Sequence, residues 1–107
     1  RVVPGHALCT AAAEDLRRGV DVGMIARRFH EGLSRMFTAA AADLACDLGV
    51  TAVGLSGGCL NNAFLADSLA AGLRKRGLVP LTHRSLPPGD GCISYGQALF
   101  GATRKKI

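Results

Sequence analysis

The sequence contains no tryptophan, one tyrosine and four phenylalanines in 107 residues. At 5% aromatic content it has no row of rings on which single-stranded bases would stack. No stretch of about 18 apolar residues occurs, so a membrane-spanning helix is not expected. Nor does a basic, then apolar, then small-residue stretch mark a secretory leader. Cysteines stand only at Cys9, Cys46, Cys59 and Cys92, with no two at the spacing of a zinc knuckle. Because Cys59 and Cys92 fall in glycine-rich loops, a disulfide framework is disfavoured. Reduced thiols in a cytoplasmic protein are the expectation. The first residue is Arg1, not methionine, which reads as a fragment or a processed product.

What is present is a globular composition, 49% hydrophobic and 20% charged, of a length suited to one small domain. The net charge is +5, and the cations cluster at Arg17-Arg18, Arg27-Arg28, Arg74-Lys75-Arg76 and Arg104-Lys105-Lys106. All but the second cluster fall where helix C-termini are expected, where the helix dipole favours positive charge. Solvated helix ends explain them better than a nucleic-acid patch does.

Residues 1–10 hold Pro4-Gly5 without periodicity and read as a linker or a truncated end, with His6 on the surface. A short helix is expected over 11–18, stopped by Gly19. The longest element is expected from Asp21 to Leu48, where Val22, Ile25, Phe29, Leu33, Met36, Ala40, Leu44 and Leu48 recur at steps of three or four. Asp21 is a plausible N-cap and Gly49 a plausible stop. His30, next to Phe29, is either a satisfied structural histidine or a substrate contact. Residues 50–55 and 78–82 read as buried parallel strands on either side of a helix at 62–76, a right-handed βαβ unit. A loop at 83–89 follows, beginning at His83. A last helix is then expected over 91–103, capped by Asp90, before a basic tail at 104–107. Two strands do not make a stable sheet by themselves. The domain at 11–103 therefore reads as a piece of a larger α/β fold, completed by further sequence or by a partner chain.

Two loops carry the candidate chemistry. In Ser56-Gly57-Gly58 the glycine pair admits positive φ and a close ligand approach, and the helix that follows offers free N–H groups to an anion. Asn62 lies at that helix start, either as a plain N-cap or as a hydrogen-bonding partner of a nucleotide. Asp90-Gly91 is either another cap or a carboxylate ligand for a divalent cation.

Together, IARRFHEGL at 25–33, GLSGGCLNN at 54–62 and THRSLPPGDGCISYGQAL at 82–99 resemble the C-terminal end of the hydrogenase-maturation carbamoyltransferases, the HypF family. More distant likenesses are the tRNA threonylcarbamoyl transferases and the antibiotic O-carbamoyltransferases. The resemblance extends over 15–103. It implies an α/β fold, the C-terminal lobe of an actin/Hsp70-like (ribonuclease H-like) ATPase. It also implies ATP and carbamoyl phosphate as substrates, a carbamoyl adenylate intermediate, and transfer of the carbamoyl group to a cysteine of a HypE-like partner in NiFe hydrogenase maturation. By the same resemblance Ser56, Gly57, Gly58 and Asn62 match the motif that embraces the adenylate. Asp90 matches the carboxylate that holds a divalent metal: iron, zinc or magnesium.

Some residues depart from the family pattern. Cys59-Leu60-Asn61 replaces a more usual Val-Phe-Gln, Gly89 stands where Asn is common, and Cys92 where glycine is. The family's His-x-x-x-His metal motif is absent, since His6, His30 and His83 are far apart. One carboxylate does not hold a catalytic metal alone. The expectation is thus half a site, with Gly57-Gly58 and Asp90 facing each other across one cleft and the remainder of the enzyme completing it. An alternative is a non-catalytic assembly module that uses its open sheet edge.

Overall fold

A computed structural model describes residues 3–104. The elements run α1 (Gly5–Arg17), α2 (Val22–Leu48), β1 (Ala52–Gly54), α3 (Ala63–Lys75), β2 (Val79–Leu81) and α4 (Ile93–Arg104). Short 3-10 turns at Gly58–Asn61 and Asp90–Cys92 precede α3 and α4. No helix among the described residues is long and apolar enough to cross a membrane.

The long helix forms where its sequence predicts. Asp21 Oδ2 accepts the Met24 N–H at 3.2 Å, and Gly49 ends the helix in the left-handed conformation at φ 65°. Its 27 residues at about 1.5 Å each give a rod of roughly 40 Å, within an envelope 62 Å long.

Its buried face differs from the expected stripe. The buried positions are Gly32, Ser34, Thr38 and Ala45, whereas Val22 and Leu48 are about 70% exposed. Small residues face the neighbouring helices because the backbones approach closely there. A Cβ placed on Gly72 of α3 would lie 2.8 Å from Thr38 Oγ1 and 3.1 Å from its Cγ2. The core is completed by Leu65, Leu69, Ala70 and Leu73 of α3.

Helix α1 begins at Gly5, not at Ala11, so the linker expected over 1–10 is corrected from Gly5 onward. The added turns have a packing partner. Leu8 sits against Gly32, where a Cβ would come within 2.5 Å of Leu8 Cδ2. Pro4 precedes the first turn at φ −79°, a value its ring already favours. Residues 1–2, and 105–107 of the expected tail, lie outside the described residues; Arg104 closes α4.

The strands pair in parallel, Ala52 with Val79, Val53 with Pro80 and Gly54 with Leu81. They are shorter than expected and not buried, since Ala52, Gly54, Val79 and Leu81 are exposed. The expectation of buried strands fails because no third strand flanks this two-stranded sheet among the described residues. Its two edges are not equivalent. Val79 donates to Thr51 C=O and Leu81 C=O accepts from Leu55, both at 2.8 Å, so Pro80 between them turns its backbone away from β1. Proline brings no N–H to that outer edge, whereas the outer edge of β1 keeps the donors of Ala52 and Gly54. Regular extension of the sheet is therefore favoured beside β1. Helix α4 has no buried residue, and Ile93, Tyr95, Leu99 and Phe100 are each more than half exposed.

The α2–α3 contact yields a test. Gly72→Ala gains about 1 kcal/mol of helix propensity, but overpacking costs about 1–3 kcal/mol, and turning Thr38 only exchanges one close atom for the other. Chemical denaturation should show a net loss of about 1 kcal/mol, largely relieved when Thr38→Ala is added; a stabilised single variant would contradict the close approach.

Candidate functional site

Parallel pairing brings the C-terminal ends of β1 and β2 to the same edge of the sheet. Ligands collect at this edge in α/β folds. The Leu55 N–H continues the ladder to Leu81 C=O, and the two chains then leave as neighbouring loops. One main-chain oxygen receives two bonds between them. The Pro88 carbonyl accepts the Gly57 N–H at 2.8 Å and the Ser56 hydroxyl at 3.3 Å. Gly57 reaches this position at φ 116° and ψ 156°, a conformation essentially confined to glycine. Gly89 follows so closely that a Cβ there would lie 3.4 Å from Gly58 Cα. Cβ atoms on Gly57 or Gly58 would meet nothing within 4 Å, so main chain is open to an approaching group.

The glycine pair does not abut α3 directly, contrary to the sequence expectation. The 3-10 turn at Gly58–Asn61 intervenes, and α3 starts beyond it with Asn62 as N-cap. Asn62 Oδ1 accepts the Leu65 N–H at 3.2 Å. Its Nδ2 lies 2.9 Å from His30 Nε2, on α2. Edge-to-face contacts with Phe29 and Phe64, at centroid distances of 6.2 and 5.9 Å, flank the His30 ring. Beside it, Glu31 accepts a hydrogen bond from Arg27 at 2.8 Å, which holds its carboxyl below the usual carboxylate range.

Ser56, in the same loop, also meets an imidazole. His83 Nε2 stands 2.9 Å from Ser56 Oγ. In the tautomer with Nε2 protonated, His83 donates to Ser56 Oγ and leaves the hydroxyl proton for Pro88 C=O. Neither histidine contact is visible in sequence, because the partners are separated by 32 and 27 residues.

Asp90 opens the second 3-10 turn, whose N-cap is Gly89, and is exposed. The expectation that Asp90 caps the last helix is corrected: α4 begins beyond the turn at Ile93. Its carboxylate makes no ion pair or hydrogen bond among the described residues and is left available. Among those residues no group of three or more His, Cys, Asp or Glu side chains could hold a metal ion. A single carboxylate therefore does not fit a metal by itself.

Two hollows touch the loops. One, about 150 Å³, is lined by Leu55, Leu60, Ala66, Thr82, His83 and Pro88. The other, about 350 Å³ and mainly apolar, lies between α2, α3 and β1 and reaches Ser56. Gly57, Gly58 and Asp90 line neither. The expected arrangement across one cleft is thus replaced by two loops in contact, side by side, forming one continuous wall.

Gly57→Ala should cost about 1–3 kcal/mol through backbone strain. Amide chemical shifts should then change in both loops, at residues 56–58 and at 87–90. Changes confined to 56–58 would show that the Pro88 contact does not couple them.

The sequence profile described as "Carbamoyltransferase, Kae1-like Domain, second subdomain" matches residues 1–97. Carbamoyltransferase HypF of Synechocystis sp. is 40% identical over 76 residues, which are 71% of this chain and 9% of that protein. A Carbamoyltransferase HypF homolog of Cupriavidus necator is 40% identical over 74 residues, covering 69% of this chain and 19% of the relative. The crystal structure of T. kodakarensis HypF superposes with a TM-score of 0.75 at 28% identity, over 91% of this chain and 12% of that one. The chain thus spans less than a fifth of the length of these relatives. Its helix-rich architecture with a small parallel sheet agrees with an actin/Hsp70-like lobe. The chain belongs to the HypF carbamoyltransferase family, as the second subdomain of its Kae1-like domain.

Proposed function

We propose that this chain forms one wall of the nucleotide site of a carbamoyltransferase. Ser56, Gly57, Gly58 and Asn62 would face ATP and then the carbamoyl adenylate, with Asp90 contributing one carboxylate toward a divalent metal, whether iron, zinc or magnesium. The observation that carries this reading is the shared Pro88 carbonyl, which holds the glycine loop and the Asp90 loop side by side at 2.8 Å from Gly57 N. Open main chain at Gly57 and Gly58 suits close approach by a ribose or phosphate group. The Asp90 carboxylate, without a partner among the described residues, supports a ligand role over a capping role.

In this reading carbamoyl phosphate is hydrolysed to carbamate and phosphate, and a carbamate oxygen attacks the α-phosphorus of ATP, forming carbamoyl adenylate as pyrophosphate leaves. A cysteine thiol of a HypE-like partner then attacks the carbamoyl carbon. The bond to the adenylate oxygen breaks, AMP leaves, and the thiol proton passes to solvent or base. The product would feed NiFe hydrogenase maturation. A metal bound with ligands from the remainder of the enzyme would neutralise phosphate charge. What this chain supplies is a preorganised loop pair and one carboxylate. The open edge of β1 and the uncovered face of α4 favour completion by the rest of the enzyme or by a complementing chain. A pure assembly module would use the same surfaces.

Two measurements test this. The 107-residue chain alone should show no carbamoyl-phosphate-dependent ATP–pyrophosphate exchange, and clear exchange would refute the one-wall reading. In the complete enzyme, Asp90→Ala should remove at least about two orders of magnitude of activity with an unchanged melting temperature, the scale typical of losing a charge-stabilising group. Turnover at the wild-type rate would remove Asp90 from the site.

A further inference from the structure

We infer that His30 is a positioning residue which fixes Asn62 as a hydrogen-bond donor toward the ligand; this rests on the nucleotide reading of the loop given above. The argument is a count of protons. Ala26 C=O can only accept, so the His30 Nδ1 that stands 2.7 Å from it carries a proton. In the neutral ring Nε2 is then bare and can only accept. It stands 2.9 Å from Asn62 Nδ2, which donates to it. The other end of the amide is fixed independently, because the Leu65 N–H requires an oxygen, and Oδ1 is that oxygen, at 3.2 Å. The three bonds agree on one orientation and forbid the flipped amide. Flipping Asn62 would set its oxygen against the bare Nε2 and its NH2 against the Leu65 N–H.

The consequence reaches the ligand. One Nδ2 proton is taken by His30 and the other has no partner among the described residues. Asn62 therefore offers an N–H, and the ligand atom that meets it must be an acceptor, such as a ribose, phosphate or carbonyl oxygen. His30 itself need touch no ligand. Its ring is held between Phe29 and Phe64, so the acceptor nitrogen has a fixed direction.

The test is NMR on the 107-residue chain with ATP and Mg²⁺ as the probe. Nitrogen-15 imidazole spectra near neutral pH should show His30 with Nδ1 protonated and Nε2 bare. Titration should shift the Asn62 side-chain amide. His30→Ala should weaken ATP binding about tenfold, the scale of one or two lost polar contacts. His30→Gln, which returns an acceptor, should recover most of the affinity. If His30→Ala leaves Asn62 capping α3 and binds ATP as the wild type does, the positioning role is wrong. A His30 ring protonated at Nε2 alone would overturn it equally. Should neither the wild-type chain nor the complete enzyme bind ATP, the nucleotide reading fails; where the single wall does not bind alone, the affinity comparison is read in the complete enzyme, and the imidazole spectrum together with the Asn62 amide shift in His30→Ala still decides whether the lock exists.

Discussion

The arrangement depends on one carbonyl oxygen. Pro88 C=O receives the Gly57 N–H and the Ser56 hydroxyl, and so ties two loops that are more than 30 residues apart in sequence. Parallel pairing of β1 with β2 makes the meeting possible, because both strands then discharge their loops at one edge. Glycine at position 57 completes it, since the N–H reaches Pro88 only from a backbone that a side chain would strain. Second-line contacts from His83 and His30 then hold the Ser56 and Asn62 side chains of the first loop. A site assembled this way needs few residues, and its rigidity comes from the strand pair and α3.

The same molecule is sparsely covered elsewhere. Among the described residues only a small group of side chains is buried, and they concentrate where α3 meets α2. Strand residues, the outer stripe of α2 and the apolar positions of α4 remain in contact with water. Hydrophobic surface of this extent is costly to leave exposed. It agrees with a chain that matches one subdomain and spans less than a fifth of its relatives. Proline on the β2 side and free donors on the β1 side give the direction in which the sheet would grow.

Much of this was legible in the sequence, and the failures have identifiable causes. Both ends of α2 follow from Asp21 and Gly49, because cap chemistry is local. A parallel βαβ unit places both loops at one edge of the sheet, but the cleft expected between them does not form, because Gly57 bonds directly to Pro88 C=O. The buried face of α2 was misread because apolar periodicity assumes that large side chains mark the interior. Here Gly32, Ser34 and Thr38 are inside, since backbone proximity at Leu8 and Gly72 excludes bulk. The start of α1 was missed because Pro4-Gly5 resembles a linker, while its anchor, Leu8 on Gly32, is a tertiary contact. Asp90 looked like a cap because its spacing fits one, but the 3-10 turn separates it from α4. No local signal could have joined His30 to Asn62 or His83 to Ser56; a polar residue beside an apolar stripe at position 30 was the only hint.

The most direct measurement is amide hydrogen exchange at Gly57. With the N–H held at 2.8 Å by Pro88 C=O, it should exchange slowly, in step with the ladder amide of Leu55. Exchange at Gly57 as fast as in an unstructured peptide, with Leu55 still protected, would contradict a joined loop pair and the nucleotide wall proposed on it.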